Sequence, residues 1–267
     1  MSTEHFLSCF LFFLFGLCVG SFINVLAYRL PRRISLVKPP SSCRSCRRRL
    51  SAPELIPVLG YLALQGRCLK CGAPISLRYP LVELATAMLF MILYTIFGLT
   101  ISLAAHLLLA VLLLAISLID LDQRIIPNTL VGIGLGGGLL FQLPGLIVLW
   151  TDLPGWTAPF RPFTDALSGL LLGGGLLLII ILVSRGGMGA GDMKLMALIG
   201  FYVGLRGTAV VMMLGFTMGA LVGLILIAAR RLTRKDALPF GPFLSAAALI
   251  EIFWGSFIWS WYVNLLR

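Results

Sequence analysis

Long apolar runs separated by short polar stretches make up most of the chain. The first run, 6–26, carries no charged residue. A helix needs about 20 apolar residues to cross a bilayer, so this run predicts one crossing. It leads into basic residues and has no small-residue cleavage site, which predicts a retained helix and not a signal peptide. A polar segment follows as far as residue 80. Runs at 81–99 and 101–119 are almost contiguous and predict a helical hairpin. Runs at 128–150 and 163–184 predict a fourth and a fifth crossing. The run 193–229 is too long for one crossing. Its expected break is Arg206-Gly207, giving a short sixth helix and a longer seventh. The run 240–265 predicts the eighth. The expected fold is therefore all-α: a polytopic integral membrane protein with about eight transmembrane helices and a small cytoplasmic insertion. The organisation is 1–26 as the first crossing, 27–80 as the insertion and 81–267 as the main bundle.

Composition agrees with this pattern. Of 267 residues, 59% are hydrophobic and only 12% charged, where a soluble domain carries about 25% charged. An ordinary soluble enzyme, a disordered chain and a disulfide-stapled secreted domain are excluded. The net charge is +11, and its placement is informative. Eleven Lys and Arg lie between Arg29 and Tyr79, with Glu54 the one acid among them. Arg230, Arg231, Arg234 and Lys235 form a second cluster. Such patches occur on nucleic-acid binders, but both clusters abut apolar runs, where cytoplasmic loops are enriched in Lys and Arg. No nucleic-acid partner is expected; anionic membrane lipid is. Placing the first cluster in the cytoplasm puts the second there too by strict alternation, together with the loops at 120–126 and 185–193. Glu4, Asp152, Arg161, Arg206 and Arg267 fall outside and nearly cancel.

Cys43-x-x-Cys46 and Cys68-x-x-Cys71 sit in the polar segment, 21 residues apart. Two C-x-x-C pairs at about this distance predict a tetrahedral zinc site. Each pair forms a knuckle presenting two thiolates, and the basic surroundings favour thiolate over thiol. Gly72 suits the turn after the second knuckle. The alternatives are two disulfides, disfavoured in a reducing compartment, or four free thiols. With four Cys ligands no position stays open, so the zinc would be structural. Cys9 and Cys18, inside the first run, read as packing residues.

Acids are few enough to take singly. Glu4, Asp152, Asp165 and Asp236 fall in loops or at helix ends. Glu83 opens the second crossing, where a helix N-terminus favours an acid. Glu251 lies within the eighth and has no assigned role. Asp120 ends the third crossing, with Asp122 two residues on, and Asp192 follows Gly189-Ala190-Gly191 at the start of the sixth. Ionisable groups at membrane depth mark function by default. Alternation brings Asp120 and Asp192 to the same membrane face. Two adjacent carboxylates cannot both ionise easily, so one keeps a proton while the other acts as a base. That is the equipment of an aspartic protease. The glycines before Asp192 would let another backbone approach closely. The alternative is that each Asp caps a helix or pairs with Arg124, Arg185 or Lys194.

The motifs together resemble one family. Gly189-Ala190-Gly191-Asp192 is a G-x-G-D motif followed by Lys194, and Asp120 stands seven residues before Pro127. Gly20-Ser21-Phe22-Ile23-Asn24-Val25 and Tyr28-Arg29-Leu30-Pro31 lie near the start. Gly66-Arg67-Cys68, Arg78-Tyr79-Pro80-Leu81-Val82-Glu83 and Pro239-Phe240-Gly241-Pro242-Phe243 follow in order. From about residue 16 to 245 the chain is similar to the bacterial type IV prepilin peptidases, bifunctional leader peptidase/N-methyltransferases. The resemblance implies an inner-membrane aspartic peptidase with its active site and zinc segment at the cytoplasmic face. It would cut the basic leader from prepilins or pseudopilins of pilus or type II secretion systems. It would then methylate the new N-terminus from S-adenosylmethionine. The catalytic pair carried over is Asp120 and Asp192, with Gly189, Gly191, Lys194 and Asp122 in support. The cysteine segment accompanies the family's long, methylating form, although no motif in it marks an S-adenosylmethionine site. A peptidase without methylation, and a transporter or assembly factor using the same acids as a proton site, are the competing readings. The sequence assigns no oligomeric state.

Overall fold

The structure, a computed structural model, describes residues 3–151, 162–184, 189–231, 233 and 238–265, with 144–151 as backbone alone. Expectations that rest on Asp152, Arg161, Arg185, Arg234, Lys235, Asp236 and Arg267 lie outside the described residues. The described chain is helical, with no strand beyond two isolated bridges, Ser42–Arg49 and Arg67–Pro74. In order come α1 (Thr3–Arg29), α2 (Leu59–Ala63), α3 (Arg78–Phe97), α4 (Ile101–Gln123), α5 (Asn128–Thr151), α6 (Phe163–Val183), α7 (Ala190–Ala228) and α8 (Gly241–Leu265). Among them α1, α3, α4, α6, α7 and α8 are long and apolar enough to cross a membrane. The chain forms two compact units, 1–103 and 104–267.

In the first unit α1 packs on α3 through small residues. A Cβ on Gly16 would stand 2.6 Å from Ala87 Cα, and one on Gly20 would stand 2.7 Å from Glu83 Cα. Glycines four apart let two helix backbones touch where lipid offers no hydrophobic drive. The polar segment between the helices folds through its own hydrogen bonds. Arg29, buried at the end of α1, donates to the carbonyls of Ser35, Leu36 and Pro39. Glu54 pairs with Arg48 and accepts the Ser51 N–H and hydroxyl, each at 2.7 Å. These partners, the Ser51 N–H first and Arg48 next, hold the Glu54 carboxyl down from 4.5 to about 2.

In the second unit α6, α7 and α8 form the main bundle, with α5 against α6 and α7. The 39 residues of α7 are not one straight helix. Gly204 stands at φ 70°, ψ −175°, a region essentially reserved for glycine. The chain reverses there: a Cβ on Gly200 would lie 3.0 Å from the Thr208 hydroxyl, where a straight helix would separate the two by about 12 Å. The break expected at Arg206-Gly207 therefore falls at Gly204. The reason is tertiary. Gly169 of α6 is pressed so close that its Cβ would stand 2.2 Å from Gly200 O and 2.7 Å from the Gly204 carbonyl carbon. Breaking the helix strands the Leu205 N–H, and Asp165 in the first turn of α6 accepts it at 3.0 Å. Asp165 is thus an N-cap lent by a neighbouring helix, a role its place near a helix end did not reveal. The arms 190–203 and 205–228 run antiparallel, so the long run contributes a short helix and a longer one, as expected. The described residues also hold α5, whose apolar stretch over 128–143 is shorter than the six helices above.

Three substitutions and one pH dependence check this account. Gly204→Ala should cost about 1–3 kcal/mol, and Asp165→Ala about 1 kcal/mol, in thermal unfolding in detergent. Gly175→Ala, with nothing within 4 Å of the added Cβ, should be neutral or slightly stabilising. The Glu54 cluster should also respond to acid. Because its folded pKa is depressed, its contribution is complete above 4.5 and fades as pH falls toward about 2. Protection of the Ser51 amide, its exchange rate relative to the intrinsic rate at each pH, should therefore fall across that window. In Glu54→Gln protection should already be reduced at neutral pH and should lack the dependence.

Candidate functional site

The cysteine knuckles come first in the chain. Cys43 N–H donates to Arg48 O, and Arg47 N–H to Cys43 O, both at 2.9 Å. Cys68 N–H donates to Ala73 O, and Gly72 N–H to Cys68 O, again at 2.9 Å. The two loops are the same structure twice. Gly72 turns at φ 67° and Arg47 takes the matching position at φ 55°. Glycine suits the turn but is not demanded by it. The four sulfurs lie within 4.8 Å of one another, with Cys43–Cys71 at 3.8 Å and Cys46–Cys68 at 4.0 Å. Thiolates 2.3 Å from a tetrahedral metal sit about 3.8 Å apart. The cluster has the donors and the spacing to hold one metal ion. The backbone N–H groups of Cys71 and Lys70 hold the Cys68 thiol down to about 6, and those of Cys46 and Ser45 lower Cys43. Thiolate, the ligand form, is thereby favoured at those two, while desolvation and the neighbouring cysteines push the Cys71 thiol up to about 11. No disulfide joins the cysteines.

The carboxylates belong to the second unit. Asp120 lies in the last turn of α4 and is 5% exposed. The helix ends three residues later. Arg124 at φ 56° donates its N–H to Asp120 O at 2.8 Å, a left-handed C-terminal stop, and Pro127 follows. The Asp120 Oδ2 accepts the Gly241 N–H at 2.9 Å. Gly241 opens α8, and a Cβ there would stand 2.8 Å from that oxygen. Only glycine leaves room for the contact. Pro242, next along, has the fixed φ that suits a first helical turn. Sequence reasoning noticed the Pro-Phe-Gly-Pro-Phe stretch but gave Gly241 no function. A glycine immediately before a helix-starting proline was the signal.

Asp192 begins α7 from the third helical position. It accepts the Gly189 N–H and donates its own N–H to Gly189 O at 3.1 Å, so acid and cap satisfy each other as in a capping box. The glycines do not serve as expected. Gly189 has ordinary extended angles, φ −74° and ψ 138°. Its bareness makes room for the Asp192 carboxylate, 3.3 Å from where a Cβ would stand. At Gly191 the close neighbour is the Ile126 side chain, 3.1 Å from a built Cβ, and not another backbone. Lys194 donates to Asn128 Oδ1 at 2.9 Å, tying α7 to the start of α5. The Tyr202 hydroxyl reinforces that junction by donating to Gly134 O.

These contacts gather the end of α4 and the starts of α5, α7 and α8. They bring Asp120 and Asp192 into coulombic reach of each other, with Arg124 acting on Asp120 as well. Both aspartates do cap helices, and they meet while doing so. Asp122 is exposed, two residues before Arg124. Two helix N-termini, with their positive dipole ends, favour the anions gathered there. Such a pair of carboxylates can hold and pass a proton.

Glu83 differs from its expected role. It lies past the first turn of α3, is 6% exposed, and accepts the Val58 N–H at 2.8 Å and the Ser21 hydroxyl. It joins α1, α3 and the polar segment and does not serve the helix dipole.

Comparison with known proteins agrees with both units. Residues 14–97 match the family model described as the bacterial peptidase A24 N-terminal domain. Residues 107–224 match that of the type IV leader peptidase family. A prepilin leader peptidase/N-methyltransferase of Pseudomonas putida is 37% identical, over 94% of this chain and 92% of the relative. One of Bacillus subtilis is 35% identical, over 95% and 97%. One of Legionella pneumophila is 32% identical, over 94% and 93%. No solved structure matches. Identity at this level along nearly the whole of each relative places the chain in the type IV leader peptidase family.

Proposed function

We propose that the chain cuts the leader from prepilins or pseudopilins at the cytoplasmic face of a bacterial inner membrane and then N-methylates the new terminus. The observation that carries the reading is that Asp120 and Asp192 lie within electrostatic reach of each other. They are 72 residues apart in sequence and share one cluster of helix ends, in a chain of this family.

Asp120 and Asp192 are the catalytic pair. Like charges at close range leave one carboxyl protonated. The ionised partner takes a proton from water, which attacks the scissile carbonyl. The protonated partner hydrogen-bonds the carbonyl oxygen and then supplies the proton that the leaving amine needs. The Gly241 N–H orients Asp120, and the Gly189 N–H orients Asp192. Gly191 lets Ile126 close over the start of α7, Lys194 fixes that start to α5, and Asp122 stands at the exposed rim. The apolar helix of a pilin would stay in the bilayer beside the helices of the second unit, delivering only the bond at its end.

The 27–80 segment is the methyltransferase-associated part, and its metal is zinc. Cys43, Cys46, Cys68 and Cys71 would hold the ion, and its contribution there is folding energy for a segment with little core of its own. S-adenosylmethionine supplies the methyl group. The many basic residues near the membrane orient the chain and contact anionic lipid.

Asp120→Asn and Asp192→Asn should each lower leader cleavage by several orders of magnitude, read by the mass shift of a purified prepilin, with Asp122→Asn costing far less. Normal cleavage by either of the first two would refute the pair. Metal analysis of reduced protein should find about one zinc per chain. Cys46→Ser should lose most of it, and a zinc-free wild type would refute the metal assignment.

A further inference from the structure

A cavity of about 740 Å³ lies inside the first unit, between the end of α1, the start of α3 and the folded cysteine segment. Sites for small molecules run from roughly 300 to 1,000 Å³. Its lining is unusual for a membrane helix. Ser21, Asn24 and Tyr28 all face it from α1, at positions i, i+3 and i+7, which share one helix face. Tyr79 and Glu83 face it from α3 at i and i+4. Part of this polarity is met inside the fold: the Ser21 hydroxyl and the Val58 N–H bond Glu83, and Asn24 donates to Gly20 O and to Tyr79 O at 3.3 Å.

The lining is charged. Glu83, buried, and Glu54 are its acids, and Arg29, Arg44 and Arg47 its bases, with Cys43 and Cys68 of the cysteine cluster also lining it. Arg44, exposed, holds its guanidinium 4.5 Å from the Tyr28 ring centre and 5.8 Å from that of Tyr79. The Glu83 wall is also strained. Val58 has φ 61° and ψ −51°, and Leu59 N–H closes onto Pro57 O at 2.6 Å. This is a γ-turn of the rarer, strained hand, at a β-branched residue for which positive φ is a genuine outlier. The turn aims the Val58 N–H at Glu83. Strain of this kind gathers at ligand clamps and active sites.

A buried anion, aromatic rings and guanidinium groups in one lining suit a ligand with a cation, a flat base and a carboxylate. S-adenosylmethionine has all three. We propose that this cavity is the methyl-donor site. Glu83 faces the sulfonium and the incoming amine, Tyr79 stacks on the adenine, and Arg44, which with Arg32 already covers the Tyr28 ring, meets the donor's carboxylate. This rests on the methyltransferase reading above. In the transfer, the pilin's N-terminal nitrogen attacks the methyl carbon. The N–C bond forms while the C–S bond breaks, its electron pair staying on sulfur to give S-adenosylhomocysteine. The proton lost from nitrogen passes to the Glu83 carboxylate and on to solvent.

The test uses the full chain in detergent and radiolabelled S-adenosylmethionine. Ultraviolet cross-linking followed by mass spectrometry should place the label within 21–28 or 76–83, without need of any variant. Equilibrium binding should weaken roughly tenfold or more in Glu83→Gln, which keeps an acceptor for the Val58 N–H, and in Arg44→Gln, which alters an exposed side chain. Melting in detergent checks that both variants are folded. Cross-links confined to 104–265, or binding unchanged in both folded variants, would overturn the cavity assignment alone. Absence of donor binding by the wild type would overturn the methyltransferase reading together with it.

Discussion

Two carboxylates drawn together at the end of an apolar bundle are costly, and the second unit is arranged around that cost. A lone charged group at membrane depth costs about 2.5–3.5 kcal/mol by insertion measurements, and a second like charge adds repulsion. Each carboxylate is met by a helix N-terminus: Gly241 N–H for Asp120 and Gly189 N–H for Asp192. That arrangement needs α7 and α8 to start at the same end of the bundle. They do so because α7 reverses at Gly204. Straight, its 39 residues would reach about 58 Å and carry the start of α8 far from Asp120. The Gly169–Gly204 contact and the Asp165 cap thus bear on the carboxylates from a distance.

Much of this was legible in the chain. Apolar run lengths gave the helices within a few residues, because bilayer thickness sets them. Ligand spacing gave the cysteine cluster, because a knuckle is a local structure. Alternation along the chain brought Asp120 and Asp192 together. What escaped was tertiary. Gly204 looks like any of 29 glycines until Gly169 is seen against it. Asp165 reads as an ordinary acid near a helix end until a broken helix offers it an N–H. Glu83 reads as a dipole partner because its true partners, Val58 and Ser21, lie 25 residues behind it on another loop and 62 behind it on another helix. The doubled knuckle went unnoticed because Arg47 does in one copy what Gly72 does in the other.

The first unit meets the same economy by different means. Its polar segment has few apolar residues to bury, so its order comes from Arg29 bonded to three carbonyls, from Glu54 gathered by Ser51 and Arg48, and from four thiols set for one ion. The stripe of Ser21, Asn24 and Tyr28 interrupts a helix that is otherwise suited to lipid. Ser21 and Asn24 of that stripe bond Glu83 and Tyr79 O, so the stripe ties α1 to α3.

The central claim is that the two aspartates act as one proton-sharing pair. The pH dependence of leader cleavage by the wild-type chain, measured under single-turnover conditions with zinc content held constant, tests it directly. A shared-proton pair predicts a bell, with cleavage lost on the acid side when both carboxyls are protonated and on the alkaline side when both are ionised. A profile with a single limb, active with both carboxylates in the same state, would contradict the account.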